Sequence, residues 1–167
     1  MNLTVVKYND IKVGHKANFN DVKCDNVMAT NAKLIKTRVN ENALIIQVDK
    51  VKDSQIGTLA CYNDELVVDN SKIGDIVINY SMDNFENKSS IITSTVISNN
   101  RIWINGNEIT NKDNKNDEDK IQTIIITNGS KVNNILFIFK KNIKGHVIVK
   151  KGGILKGLVT NGDVEYE

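Results

Sequence analysis

Short apolar pulses separated by polar pairs and by glycine, asparagine or aspartate run along this chain of 167 residues. The pattern is most regular in the closing stretch from Lys144 to Glu167, where a glycine follows nearly every pulse. Alternation over four to eight residues bounded by turn formers predicts short β-strands, and no stretch holds a 3.6-residue period long enough for a helix. The strands expected in the first part are Leu3–Val6, Ile11–Val13, Val22–Val27, Lys33–Val39, Leu44–Val48, Thr58–Cys61, Glu65–Val68 and Asp75–Asn79. Those expected later are Thr123–Thr127, Ile135–Phe139, His146–Val149, Ile154–Val159 and Val164–Tyr166. Ile135–Phe139 is apolar on both alternating faces, so it should be covered on both sides.

The strands repeat. Asp53–Ala60 (DSQIGTLA) and Asn70–Val77 (NSKIGDIV) are variants of one phrase 17 residues apart, and Gly129–Ile138 (GSKVNNILFI) is a third copy with Val132 in place of the isoleucine. Ile143–Val147 (IKGHV) and Leu155–Val159 (LKGLV) repeat 12 residues apart. Self-similarity of this kind marks stacked rungs. Between the repeats, Val96–Ser98, Arg101–Ile104 and Asn107–Ile109 are joined by Asn99-Asn100 and Asn105-Gly106, dipeptides suited to two-residue hairpin turns, which predicts a β-meander. Ser81–Ser90 is polar and weakly patterned, the best boundary between a β-rich region over residues 1–80 and a meander with solenoid rungs over 91–167; one continuous domain is the alternative. Asn111–Lys120 has no apolar residue and reads as an exposed loop.

The segment from the Asn105–Ile109 hairpin through Lys120–Ile138 to Lys144–Glu167 resembles the bactofilin-like, polymer-forming β-solenoid proteins of bacteria, especially small relatives from Gram-positive bacteria and their phages. The match spans roughly Ile97 to Glu167, and Gly145, Gly153, Gly157 and Gly162 carry its rhythm. It implies an all-β fold, an irregular right-handed β-solenoid or β-helix, and end-to-end assembly into filaments without a nucleotide. Offsets of 11, 12 and 17 residues depart from an even stack. A β-sandwich is the alternative, because short strands with turn signals serve both.

Composition fits this reading. Isoleucine and valine outnumber leucine, asparagine is abundant and proline is absent, as expected of strands joined by left-handed Asn, Asp and Gly turns. A net charge of +2 is too small for a nucleic-acid surface. The first residues contain neither a secretory signal nor a membrane helix, so a cytoplasmic protein without membrane contact is expected. Cys24 and Cys61 lack a CxxC or histidine at ligand spacing and are expected as ordinary reduced thiols.

Candidate chemistry is sparse. His15 and His146 have no ligand-spaced neighbours, and Asp113, Asp117, Glu118 and Asp119 lack the order of a calcium loop. Neither a metal nor a cofactor is expected, and no catalytic triad or paired-carboxylate motif is present, which favours a non-enzymatic protein. Trp103 shares a strand face with Arg101 and could contact a sugar, base or protein. Lys140, Lys141, Lys144, Lys150, Lys151 and Lys156 could form a basic stripe, of which Lys144 and Lys156 are the candidates. Val164 and Tyr166, on the last strand, are the expected assembly edge, with Gly145, Gly157 and Gly162 setting the turns there. The function expected is a self-assembling homo-oligomeric scaffold; the alternative is a phage-encoded or bacterial binding module that captures a host protein or a small charged ligand.

Overall fold

The computed structural model describes residues 1–78, 95–98, 101–104, 106–108, 120–137 and 143–167. Its strands are β1 (Asn2–Lys7), β2 (Asp10–Ile35), β3 (Arg38–Lys52), β4 (Gln55–Cys61), β5 (Glu65–Asp69) and β6 (Lys72–Ile78). Three short strands follow, β7 (Thr95–Ser98), β8 (Arg101–Ile104) and β9 (Asn107–Glu108). The closing strands are β10 (Lys120–Ile126), β11 (Lys131–Phe137), β12 (Ile143–Val149), β13 (Ile154–Leu155), β14 (Val159–Thr160) and β15 (Gly162–Tyr166). No helix long and apolar enough to cross a membrane occurs among the described residues.

Twelve strands form one curled sheet in which every pairing among the described residues is parallel, while β7, β8 and β9 form the expected antiparallel meander. The fold is thus all-β and of the solenoid type, and the parallel order removes the sandwich. Sequence neighbours such as β4 and β5 lie on different sides of a rung, and each pairs with its counterpart one turn away. Ile56, Ile73 and Val132 stand in register across β4, β6 and β11, as the repeated phrase predicts. In β11, Ile135 and Phe137 enter the main core while Leu136, also buried, lies outside it. Both faces of that strand are covered. The pairing of β5 with β10 and of β6 with β11 joins the rungs before residue 78 and after residue 120 into one stack. The expected boundary at Ser81–Ser90 and the acidic stretch from Asn111 to Asp119 lie outside the described residues.

Two expectations about local structure are corrected. Ile11–Val13, Val22–Val27 and most of Lys33–Val39 and Leu44–Val48 are not separate strands but stretches of the long β2 and β3. The chain bends while remaining extended there, so turn formers do not mark every corner. The predicted Lys33–Val39 strand is instead broken in its middle, where Lys36 takes a positive φ of 48°.

That break belongs to the corner that defines the rungs. Lys36, Asp53, Asn70 and Gly129 all have left-handed φ, and the next residues, Thr37, Ser54, Ser71 and Ser130, turn buried hydroxyls inward. The Thr37 N–H donates to Ser54 Oγ (3.0 Å), the Ser54 N–H to Ser71 Oγ (3.0 Å) and the Ser71 N–H to Ser130 Oγ (3.1 Å). Each hydroxyl passes its own proton to a carbonyl: Thr37 to Ile35, Ser54 to Lys52, Ser71 to Asp69 and Ser130 to Val68, at 2.7–2.9 Å. The ladder satisfies amides that the turn withdraws from both water and the strand pairing.

The glycines of the closing stretch act differently from expectation. Gly145 and Gly162 do not set turns: they lie within β12 and β15 and pair with each other. A Cβ on Gly145 would run into the ring of Phe137, and one on Gly162 would sit 2.8 Å from its Cε2. Gly157 is packed instead against Asn133 and Asn134, so the 12-residue repeat is not a rung repeat. Twelve residues carry the chain only part of the way round.

Ser71→Ala leaves the Ser54 amide buried without an acceptor and is expected to cost about 1–3 kcal/mol in urea unfolding; a loss within error of zero would show the ladder to be incidental. Gly145→Ala is expected to cost about 1–3 kcal/mol through overpacking, and a Phe137→Leu background should return part of that cost. Simple additivity of the two changes would rule out ring clearance as the role of Gly145.

Candidate functional site

The expected residues fall into three separate places. On the meander, Arg101 and Glu108 form a two-bonded ion pair (2.6 and 2.7 Å), and the guanidinium lies 5.0 Å from the centroid of the Trp103 ring. Register puts Glu108 opposite Trp103, and Trp103 opposite Val96. The bond to Arg101 holds the Glu108 carboxyl below the usual carboxylate range, and the same bond raises Arg101. Trp103 is half-buried and Val96 exposed, so this face is an aromatic plate with its cation already engaged.

Lys144 lies on β12 and Lys156 after β13, strands on different sides of a rung. Lys150 is paired with Glu167 at 2.7 Å, and His146 contacts Glu165 at 3.1 Å. The C-terminal lysines are thereby distributed around the stack. Lys140 and Lys141 lie outside the described residues.

Val164 and Tyr166 occupy the end of the stack. Val164 ends the column Leu66, Ile124, Val147, and Tyr166 ends the column Val68, Ile126, Val149. The upstream members are buried, whereas Val164 is 37% and Tyr166 70% exposed. Ile154 (53%) and Leu158 (77%) are exposed on the same closing rung. Such a surface is a core cross-section facing water.

A further site was not read from the sequence. Arg38, Gln55, Lys72 and Lys131 stand in register on β3, β4, β6 and β11 and project outward along one side of the stack. Beside them is the column Asn40, Gly57, Gly74, Asn133, in which the two middle rungs carry no side chain. The glycines are required because neighbouring rungs approach too closely here: a Cβ on Gly57 would lie 2.8 Å from the Asn40 carbonyl oxygen and closer still to that of Glu41, and one on Gly74 would strike the Gly57 carbonyl oxygen. A one-residue bulge in β3, with Asn40 and Glu41 facing Gly57, sharpens the bend. The result is an open groove of about 490 Å³ lined by Arg38, Lys72, Lys131, Gln55, Asn40 and Asn133 over a glycine floor. The signal that could have found it is the residue before each repeated isoleucine or valine: Gln55, Lys72 and Lys131.

Among the described residues no group of three or more His, Cys, Asp or Glu side chains is arranged to hold a metal. Both thiols are free and buried. Burial pushes Cys24 and Cys61 up to about 12, with Asp25 and Asp10 adding to the effect at Cys24. Comparison of the chain with protein-family models, curated proteins and solved structures finds no match.

Because the folded-state thiols titrate above their ordinary value of 9.0, the stability they confer is full below about pH 9 and falls as pH rises toward 12. The folded protein should accordingly not react with Ellman's reagent at pH 8, while both thiols react in denaturant. Rapid stoichiometric labelling of the folded protein would contradict this environment.

Proposed function

We propose that the protein is a non-enzymatic, self-assembling β-solenoid scaffold of the bactofilin-like kind, whose copies stack end to end. The observation that carries the reading is the emergence of the core columns at Val164 and Tyr166, with Ile154 and Leu158 exposed beside them. β15 pairs only with β12 among the described residues, so its outer edge offers unpaired backbone groups together with apolar side chains. At the opposite end, among the described residues, β1 pairs only with β2, Leu3 is partly buried, and Met1 and Tyr8 are exposed. The two ends are unlike. A contact between them is head-to-tail, and such a contact generates an open filament unless its rotation closes a ring.

A second reading, a binding module centred on Arg101 and Trp103, is favoured by the half-exposed indole beside exposed Val96. It differs in where mutation acts: Trp103→Ala removes partner binding and leaves assembly intact.

Assembly is tested by light scattering behind size exclusion over a wide concentration range, with negative-stain microscopy. Wild type is expected to form oligomers whose mass grows with concentration. Val164→Lys with Tyr166→Glu should reduce them to monomer, with thermal unfolding little changed because both sites are surface positions in the monomer. A wild-type monomer at every concentration, without filaments, would remove the scaffold reading.

A further inference from the structure

We propose that the groove over Gly57 and Gly74 binds a linear anionic polysaccharide lying parallel to the stack axis. Among the described residues its lining contains three cations, Arg38, Lys72 and Lys131, and no carboxylate. The cation column extends beyond the groove, since Lys23 pairs in register with Arg38 and Lys7 with Lys23. None of these five cations forms an ion pair among the described residues. Asp25, Glu41 and Asp75 lie at neighbouring positions and keep their charge, since they accept only from the neutral amides of Asn40, Asn26 and Asn134, but none of the three lines the groove. The described lining of the groove thus offers positive side chains without a carboxylate among them, together with the amides of Gln55 and Asn133.

Geometry selects the class of ligand. Rungs of a parallel stack lie about 4.8 Å apart, so Lys72 and Lys131 are one such step apart and Arg38 and Lys72 two, about 10 Å. An extended acidic peptide repeats its same-face side chains every ~6.6 Å and falls out of step with this ladder. Single-stranded nucleic acid is held largely by stacking on aromatic rings, and among the described residues no aromatic side chain lines the groove. A chain of pyranose units advances by close to one rung per sugar. It places hydroxyls against the amides and carboxylate or sulfate groups against the cations, where charge-assisted bonds are strongest. The open ends of the groove suit a chain passing through, not an enclosed small molecule.

Binding of fluorescently labelled polygalacturonate and heparin oligosaccharides, followed by polarisation, tests the proposal. Wild type should bind at least one of them saturably, with affinity falling as salt is raised. Arg38→Gln with Lys72→Gln should weaken that binding about tenfold or more, the scale of losing strong charge-assisted contacts. Lys151→Gln with Lys156→Gln, outside the groove, should leave it unchanged. If the first pair loses its native circular dichroism, Lys131→Gln alone takes its place. The Val164→Lys, Tyr166→Glu protein should still bind, which separates this site from the assembly reading. Absence of saturable binding to both glycans, equal affinity in the groove variants, or equal or tighter binding of polyglutamate or oligothymidine would overturn it.

Discussion

The stack depends on a corner of two residues. At Lys36-Thr37, Asp53-Ser54, Asn70-Ser71 and Gly129-Ser130 a left-handed residue turns the chain. The hydroxyls of Ser54, Ser71 and Ser130 each accept the amide proton of the preceding corner, and those of Thr37, Ser54 and Ser71 donate within their own corner while Ser130 donates back to Val68. A parallel sheet satisfies backbone groups along its strands but not where the chain leaves them. Without these hydroxyls the amides of Thr37, Ser54 and Ser71 would be buried as orphans, each at a cost comparable to a whole side-chain contact. With them, the four rungs that carry these corners are tied to one another in register. The ladder stops where the stack changes: Val22 aligns with Thr37 at one end, by the pairing of Lys23 with Arg38, and Gly153 aligns with Ser130 at the other, by the pairing of Lys131 with Ile154.

Much of this was legible because the corner lies inside the repeat. The 17-residue phrase carries the serine, the core isoleucine and the glycine of the bend together, so the in-register alignment of Ile56, Ile73 and Val132 follows directly from the sequence. The hairpin dipeptides likewise specified the antiparallel meander, with Gly106 at a positive φ of 79°. The early strand boundaries were not legible, since β2 and β3 stay extended round their bends. The basic groove escaped for a different reason: its cations are separated by whole rungs in sequence and meet only through register. Local density pointed instead to the C-terminal lysines, which the winding of the chain spreads over different sides.

Glycine shows the same limit. Gly152 supplies a positive φ, Gly145 and Gly162 leave room for the Phe137 ring, and Gly57 and Gly74 let neighbouring backbones meet. These are three physical causes behind one letter. Reading Gly145, Gly157 and Gly162 as turns marked a rhythm but misplaced Gly145 and Gly162, because clearance for a ring requires knowing which residue lies across the core.

Register in a parallel stack also joins the two proposals. A column repeats one side-chain environment at every rung, so whatever a rung offers is summed along the axis: apolar surface within, amides and cations without. In this chain the cation column runs from Lys7 to Lys131 and ends at exposed Ile154. In a head-to-tail assembly the Lys7 of one copy follows the Ile154 of another, so the basic ladder resumes after a single apolar step. A glycan spanning that junction engages two grooves at once, and its second engagement is intramolecular, strengthened by a high effective concentration and not by any new contact. By the reciprocity of linked equilibria, a chain that binds the assembled stack more tightly than the monomer must also favour assembly. On these two proposals the end of the solenoid and its flank, distinct as surfaces, are coupled through the rung spacing.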